Sequence, residues 1–322
     1  MIRSFVFNQG KLVGQDLDLD SLRLVLFDKG LHVWVDLEAS SDEEAKSILD
    51  GVFGFHPLAI EDCITPSERP KVDEYDNYLF LVIHAVDYTR GSEEFRTTEL
   101  NIFFGKDFVV TYHREPLRSV TATIDRVLKN APAVARAPDR LTHTMLDFLF
   151  ENYRPVMEEL SAEISELETR VLQAKADNLQ TTVLKVKQEV AILRSIIAPQ
   201  RDVIARLARG EFKFVRPHLL PYYRDLLDQL VRISDQAESY RDSLTNLLLV
   251  QLNLQQAQTN EVIKVLTVFT VVTLPAIMIA SWYGMNLKMP EFDWDWGYPT
   301  VIAATLISTI LIGLYFRSRK WF

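Results

Sequence analysis

The stretch VLTVFTVVTLPAIMIASWYGMNL, Val265 to Leu287, decides the architecture: it runs for 23 residues without a formal charge. A bilayer core about 30 Å thick is crossed by about 20 apolar helical residues, so this run is long enough to span. A second uncharged run of 19 residues follows from Tyr298 to Phe316. The first run holds threonines, Pro275 and Ser281, which a buried core helix would also tolerate. Two such runs side by side at the end of an otherwise charged chain read as membrane helices.

The flanks point the same way. Trp294, Trp296 and Tyr298 lie at one edge of the second run and Tyr315, Phe316 and Trp321 at the other, as interfacial aromatics do. Arg317, Arg319 and Lys320 follow at once, which puts that tail in the cytoplasm by the positive-inside rule. Two crossings return residues 1–260 to the same side. The loop Lys288 to Gly297, with three acids and one lysine, faces outside. The start, Met1-Ile2-Arg3-Ser4-Phe5, shows no charged leader before a long apolar core, so no cleavable signal peptide is expected.

Of the 322 residues, 48% are hydrophobic and 25% charged, the balance of a folded chain. Residues 261–322 hold five of the 35 Lys/Arg and four of the 44 Asp/Glu, which leaves residues 1–260 at −10. A net acidic chain with no basic run is a poor partner for a phosphate backbone, and nucleic acid is set aside. A cation is the natural partner. The single cysteine, Cys63, excludes an intrachain disulfide and fits a reducing compartment.

Residues 1–130 read as mixed α/β. Strands are expected at Ser4–Phe7, Leu22–Phe27, Leu31–Leu37, Tyr78–His84, Leu100–Phe104 and Phe108–His113, with Gly105-Lys106-Asp107 as a hairpin turn. Helices are expected near Asp42–Gly51 and Leu117–Lys129, and the Ala/Pro-rich stretch 131–138 marks a boundary before almost unbroken helix. There the apolar positions step by threes and fours. One seam runs from Leu146 to Val171, a second from Val183 to Ile197, and a third from Leu226 to Leu247. Such seams pack helix on helix. Between Pro221 and Pro275 there is neither proline nor glycine. The third helix should therefore run straight into the first span, about 90 Å from Pro221 to Tyr283.

Nothing here reads as an enzyme. There is no P-loop, no GxGxxG, no GxSxG, and no nucleophile beside a base. The six histidines are scattered without ligand spacing, and His56-Pro57 before Glu61, Asp62 and Cys63 reads as a helix N-terminus with a buried thiol. The first span says more. Asn260, Ile263, Thr267, Thr270, Leu274, Ile277, Ser281 and Gly284 recur on one helical face, mixing polar groups with single bulky apolar ones. A pore would use the hydroxyls and gate with rings of Leu274 or Ile277. Helix–helix packing uses Ser and Thr equally well, and spacing alone does not choose. Two spans enclose too little to conduct, so a pore would need several copies about a closed axis.

Tyr283-Gly284-Met285-Asn286, at the outer end of the first span, resembles the signature of the CorA family of magnesium transporters. Met289-Pro290-Glu291, Trp296-Gly297-Tyr298-Pro299 and the ending Arg319-Lys320-Trp321-Phe322 fit that family in order. So do Phe55 to Cys63, Arg69-Pro70-Lys71-Val72, Tyr75-Asp76-Asn77-Tyr78 and Asn260 to Thr267, so the resemblance covers the whole chain.

The resemblance implies an α/β N-terminal cytoplasmic domain with a long helical stalk and two C-terminal transmembrane helices, assembled as a funnel-shaped homopentamer in the inner (plasma) membrane. Its parts would be an α/β domain over 1–135, a helical hairpin region over 136–215, and a stalk helix continuing into the first span over 216–284. An outer loop over 285–297, a second span over 298–316 and a basic tail over 317–322 would complete it. The implied cargo is Mg²⁺, with Co²⁺ or Ni²⁺ as further candidates. Gly284, Met285 and Asn286 would form the selectivity mouth, with Glu291 in the outer loop. Intracellular Mg²⁺ bound between subunits at Asp225, with Asp87 as the partner carboxylate, would close the pore.

Three departures bear on which cation passes. Only Leu287-Lys288 separates Asn286 from Met289, where many members have three residues, one acidic. Ile277 stands where a pore threonine is common, and Leu249 where some members carry a second stalk acid. A zinc transporter of the same superfamily is one alternative, disfavoured by Met285, which the zinc branch usually replaces with an aliphatic residue. A membrane-anchored cation sensor that conducts nothing is the other.

Overall fold

The computed structural model describes residues 1–28, 30–67, 69–86, 97–173, 179–285 and 294–319. They divide into two compact units, Met1–Leu247 and Leu248–Phe322.

The first unit is built on a sheet that has seven strands among the described residues: β1 (Ile2–Asn8), β2 (Lys11–Gln15), β3 (Leu31–Glu38), β4 (Lys71–Glu74), β5 (Tyr78–Val86), β6 (Thr97–Gly105) and β7 (Phe108–His113), in the order β2-β1-β3-β7-β6-β5-β4. Every neighbouring pair is antiparallel except β3 and β7. The expected hairpin joins β6 to β7. Gly105 is required there, because a Cβ would lie 2.6 Å from the Phe108 ring and 2.9 Å from the Asn77 carbonyl oxygen.

One face of the sheet, with Val33, Val35, Leu37, Val110 and Tyr112, packs on the short helices α1 (Leu19–Leu26), α2 (Asp42–Leu49) and α3 (Pro57–Ile64). The segment expected as a strand over Leu22–Phe27 is helix α1 instead. Asp18 caps it by accepting from the Ser21 amide at 3.0 Å, and the inward residues Leu22, Val25 and Leu26 are spaced three and four apart, not two. His56 begins α3 as expected: its Nδ1 accepts from the Leu58 amide at 3.2 Å and Pro57 takes the first turn. Cys63 is buried, and burial pushes its thiol well above the ordinary range.

The other face is covered by helices. α4 (Arg118–Val134) is broken at Asn130, so Pro132 sits in the first turn of the piece that follows, where its missing N–H costs nothing. Ala131, Val134 and Ala135 are buried, so the stretch expected as a boundary is packed into the unit. α5 (Pro138–Glu151), α6 (Tyr153–Leu172) and α7 (Leu179–Ala208) follow. Leu146, Phe150, Tyr153, Met157, Leu160, Ile164, Leu167 and Val171 are buried, as are Val183, Val186, Val190, Leu193 and Ile197.

A short 3-10 turn, Pro217–Leu219, leads into α8 (Leu220–Tyr283), a single helix of 64 residues. In the first unit Leu226, Leu230, Ile233, Ala237, Leu244 and Leu247 are its buried seam. Tyr240 donates to the Met157 carbonyl of α6 at 3.1 Å, and Glu238 pairs with Arg194 of α7 at 2.5 Å. The start of α8 is fixed by Asp139. That buried carboxylate accepts from Arg216 Nε at 2.8 Å and Nη2 at 2.6 Å, while Tyr223 donates to the Asp139 carbonyl at 2.9 Å. The second unit holds the rest of α8 and α9 (Gly297–Ser318).

β5 outlasts β4, so among the described residues the backbone of His84 has no strand beside it on that edge. Gln200 Oε1 accepts from its amide at 2.7 Å, Tyr153 donates to its carbonyl at 2.7 Å, and Gln200 Nε2 donates to the Tyr153 hydroxyl at 2.8 Å. Helices α6 and α7 thus finish the sheet edge with side chains. Gln200→Leu strands a buried backbone donor and should cost about 1–3 kcal/mol. Thermal unfolding of the detergent-solubilised chain should show a clear fall in Tm.

Candidate functional site

In the second unit α8 is rich in amides up to Lys264 and predominantly apolar from Val265 on, where almost none of it is covered. Val265, Phe269, Ile277, Met278 and Trp282 are all more than 60% exposed. α8 and α9 are the two helices among the described residues long and apolar enough to cross a membrane. A helix hydrophobic all round is stable in lipid or in the core of a larger assembly.

The stripe Asn260, Ile263, Thr267, Thr270, Leu274, Ile277, Ser281 and Gly284 lies on α8 or its last turn. All of it is exposed except Thr267, which is half-buried. Its hydroxyls are oriented by the helix itself. Thr267 Oγ1 donates to the Ile263 carbonyl at 2.7 Å and Thr270 Oγ1 to the Leu266 carbonyl at 2.9 Å. With the proton committed to the backbone, each hydroxyl offers outward only lone pairs. Asn260 Oδ1 accepts from Gln256 Nε2 at 3.0 Å one turn earlier.

At the outer end the Gly284 amide donates to the Ala280 carbonyl at 2.9 Å and the Met285 amide to the Trp282 carbonyl at 3.4 Å. The C-terminus of a long helix carries about half a negative charge, which favours a cation at this end. Asn286 and Glu291 lie outside the described residues, as does Asp87.

In the first unit α8 carries a second feature. Asp225, Asp228, Asp235 and Asp242 are exposed and step by threes and sevens along one face. Asp242 is paired with Arg241 at 2.7 Å, and Asp225 accepts from Gln229 at 3.5 Å. Beside Asp225 is His143 of α5, buried against Tyr222 and Tyr223, with its Nε2 3.3 Å from the Tyr222 carbonyl. Burial holds the His143 ring below its ordinary pKa, opposed by the charges of Asp147 and Asp225. Asp147, one turn along α5 from His143, is therefore a second carboxylate acting on that ring beside Asp225. Sequence reading passed over it because it lies beside the buried seam of α5, 78 residues before Asp225.

The elements define a class: a membrane protein with an α/β soluble unit, one very long helix, and a second apolar helix closing the chain. The CorA-like Mg2+ transporter protein family matches residues 30–319, and the chain belongs to that family. It is 29% identical over 306 residues to the cobalt/magnesium transport protein CorA of Thermotoga maritima, covering 94% of this chain and 87% of that one. Its fold matches the complete structure of the CorA magnesium transporter from Methanocaldococcus jannaschii with a TM-score of 0.82, at 21% identity, over 99% of this chain and 98% of that one. It also matches the full-length CmaX protein with a TM-score of 0.78, at 19% identity, over 99% and 97%. The chain is thus a member of a divalent cation transporter family of the cell's inner membrane, with two apolar C-terminal spans.

At Gly284 the geometry excludes a side chain. A Cβ there would lie 2.9 Å from the Ala280 carbonyl oxygen, closer than real contacts allow. Gly284→Ala should therefore displace the turn that presents Met285. The expected outcome is a several-fold fall in ion influx into proteoliposomes, with the elution volume of the assembly unchanged.

Proposed function

We propose that the chain carries Mg²⁺ into the cytoplasm through a pore lined by the α8 stripe, at the centre of a homopentamer with both chain ends cytoplasmic. Co²⁺ and Ni²⁺ are further cargo. The observation that carries this reading is the exposed stripe of outward lone pairs on an otherwise apolar helix, ending at Gly284-Met285-Asn286. Five copies would cover the apolar surface that one chain leaves bare and turn the stripes towards one axis.

The chemistry suits a hydrated ion. Mg²⁺ demands octahedral oxygen geometry and gives up water reluctantly. Its bound waters point hydrogens outward, so a wall that only accepts hydrogen bonds can hold the shell without replacing it. The Asn286 amides would capture the hydrated ion at the mouth, and Leu274 and Ile277 would form the apolar constriction. No ATP is needed: each charge gains about 2.3 kcal/mol per 100 mV, and a dication about twice that.

Closure would come from Mg²⁺ bound at Asp225, with Asp87 contributed across the subunit interface and Asp147 beside them. Bound cations would screen a soluble unit of high negative charge. Losing them would let the carboxylates repel and the helices part.

Mg²⁺ influx into proteoliposomes with an entrapped dye, at fixed membrane potential and without a proton gradient, tests the pathway. Asn286→Ala should lower influx at least about tenfold, a loss of about 1.4 kcal/mol of differential stabilisation. Zn²⁺ influx without Mg²⁺ influx would move the chain to the zinc alternative. Absence of both would make it a non-conducting sensor.

Asp225→Asn tests closure separately. The inside Mg²⁺ concentration that halves influx should rise several-fold while the initial rate at low inside Mg²⁺ stays unchanged. An unchanged midpoint would remove Asp225 from gating.

A further inference from the structure

The one parallel pair of the sheet, β3 and β7, brings three metal-ligating side chains together at its carboxyl end. Asp36 and Glu38 stand two apart on β3 and so share a face, and the ladder sets Asp36 opposite Thr111 and Glu38 opposite His113. One ligand atom from each of Asp36, Glu38 and His113 lies within 4.8 Å of the others. Asp36 and His113 are buried, while the Glu38 side chain, 18% exposed, opens the cluster to the surface.

The hydrogen bonds around the cluster leave a gap of one cation. Trp34 Nε1 donates to Thr111 Oγ1 at 3.0 Å, and the Thr111 hydroxyl donates to Asp36 Oδ1 at 2.6 Å. Arg3 donates to Glu38 Oε2 at 2.5 Å, which leaves Oε1. His113 Nδ1 lies 2.7 Å from the Glu115 carbonyl. A carbonyl can only accept, so Nδ1 carries a hydrogen, and unless Nε2 carries one too the ring presents its Nε2 lone pair. That lone pair faces Asp36 Oδ1 at 3.2 Å. Two acceptors in contact need a cation, either a second proton on the ring or a metal ion.

Asp36 Oδ2 chooses between them. It is buried and has no hydrogen-bond partner. A proton on Nε2 would satisfy Oδ1 and leave Oδ2 bare, which is costly for a buried carboxylate. A metal ion held by the Asp36 carboxylate, by a Glu38 oxygen and by His113 Nε2 would compensate that carboxylate and take up the Nε2 lone pair together. The His113 Nδ1–H bond to a backbone carbonyl is the outer contact that orients metal-binding histidines.

We propose that Asp36, Glu38 and His113 form a site for a transition-metal dication of the Zn²⁺, Co²⁺ or Ni²⁺ class. An imidazole with two carboxylates suits these ions, whereas Mg²⁺ favours oxygen ligands and retained water. The site lies in the first unit, uses no residue of α8, and stands whether or not the pore reading does. A bound ion would tie β3 to β7 and, through Glu38 and Arg3, to the first strand.

The test uses the full chain in detergent, stripped by chelator and then titrated with Co²⁺ under millimolar Mg²⁺ to occupy carboxylate-only sites. One Mg²⁺-resistant Co²⁺ per chain is expected, with visible d–d absorption that one equivalent of Zn²⁺ abolishes. Glu38→Gln and His113→Gln should each remove it, and Asp225→Asn should leave it intact. Glu38 is at the rim, so its variant decides the outcome where His113→Gln fails to fold. Absence of Mg²⁺-resistant Co²⁺, or a stoichiometry that Glu38→Gln leaves unchanged, would overturn the site and return the second proton to His113.

Discussion

A helix that is apolar on all its faces has to be kept from water, and most of this chain's organisation follows from that constraint. Up to Leu247, α8 solves it in the ordinary way, with one seam against α6 and α7 and a charged face left to solvent. From Val265 on there is no such division: side chains as large as Phe269 and Trp282 are exposed in the single chain. Lipid and neighbouring copies are the only media that can cover them. The threonines fit this setting because their hydroxyl protons are already spent on carbonyls four residues back. A threonine bonded in this way brings no unsatisfied donor into lipid and shows only lone pairs to an ion. The same local bond therefore permits either environment, and the neighbours determine which one each threonine meets.

Sequence was most informative where a feature is local and periodic. The spans, the three helical seams, the β6–β7 hairpin and the His56-Pro57 start of α3 each depend on residues close in the chain. The misreading of Leu22–Phe27 had a physical cause. Leu24 and Phe27 are apolar residues that the fold leaves exposed, and they hid the three-and-four spacing of Leu22, Val25 and Leu26. The strands β2 and β4 escaped notice because each is short and at the edge of the sheet, β4 being mostly polar and β2 interrupted by Gly14. Such edges are what a protein uses to discourage pairing with other chains, so their weak signal is part of their role.

The candidate sites divide along the same line. The stripe on α8 is a periodic feature and was readable. Asp147 was not, because its nearness to Asp225 depends on α5 packing against the start of α8 through Asp139, Arg216 and Tyr223. Nor was the cluster of Asp36 and His113. The histidines show no ligand spacing in the chain, and these two residues are 77 positions apart. A parallel ladder supplies the spacing instead, aligning the carboxyl ends of strands distant in sequence. Parallel pairing needs a long crossover, so a site built on it leaves no compact motif.

The two cation chemistries proposed for this chain ask for opposite treatment of water. A wall of hydroxyl and amide acceptors touches the outside of a hydration shell, and hydrated Co²⁺ or Ni²⁺ offers nearly the same outer surface as hydrated Mg²⁺. Such a wall sorts ions by charge and by how tightly they keep water, and it has little purchase on the difference between these dications. A nitrogen ligand does, because it binds the bare ion and ranks first-row metals by the strength of that bond. Only a group placed off the pathway can use that ranking, since a nitrogen ligand in the pore would hold a transition metal too long for it to leave. Passage and discrimination are therefore best kept on different elements, one lined by oxygen acceptors on a helix and the other enclosed between strands.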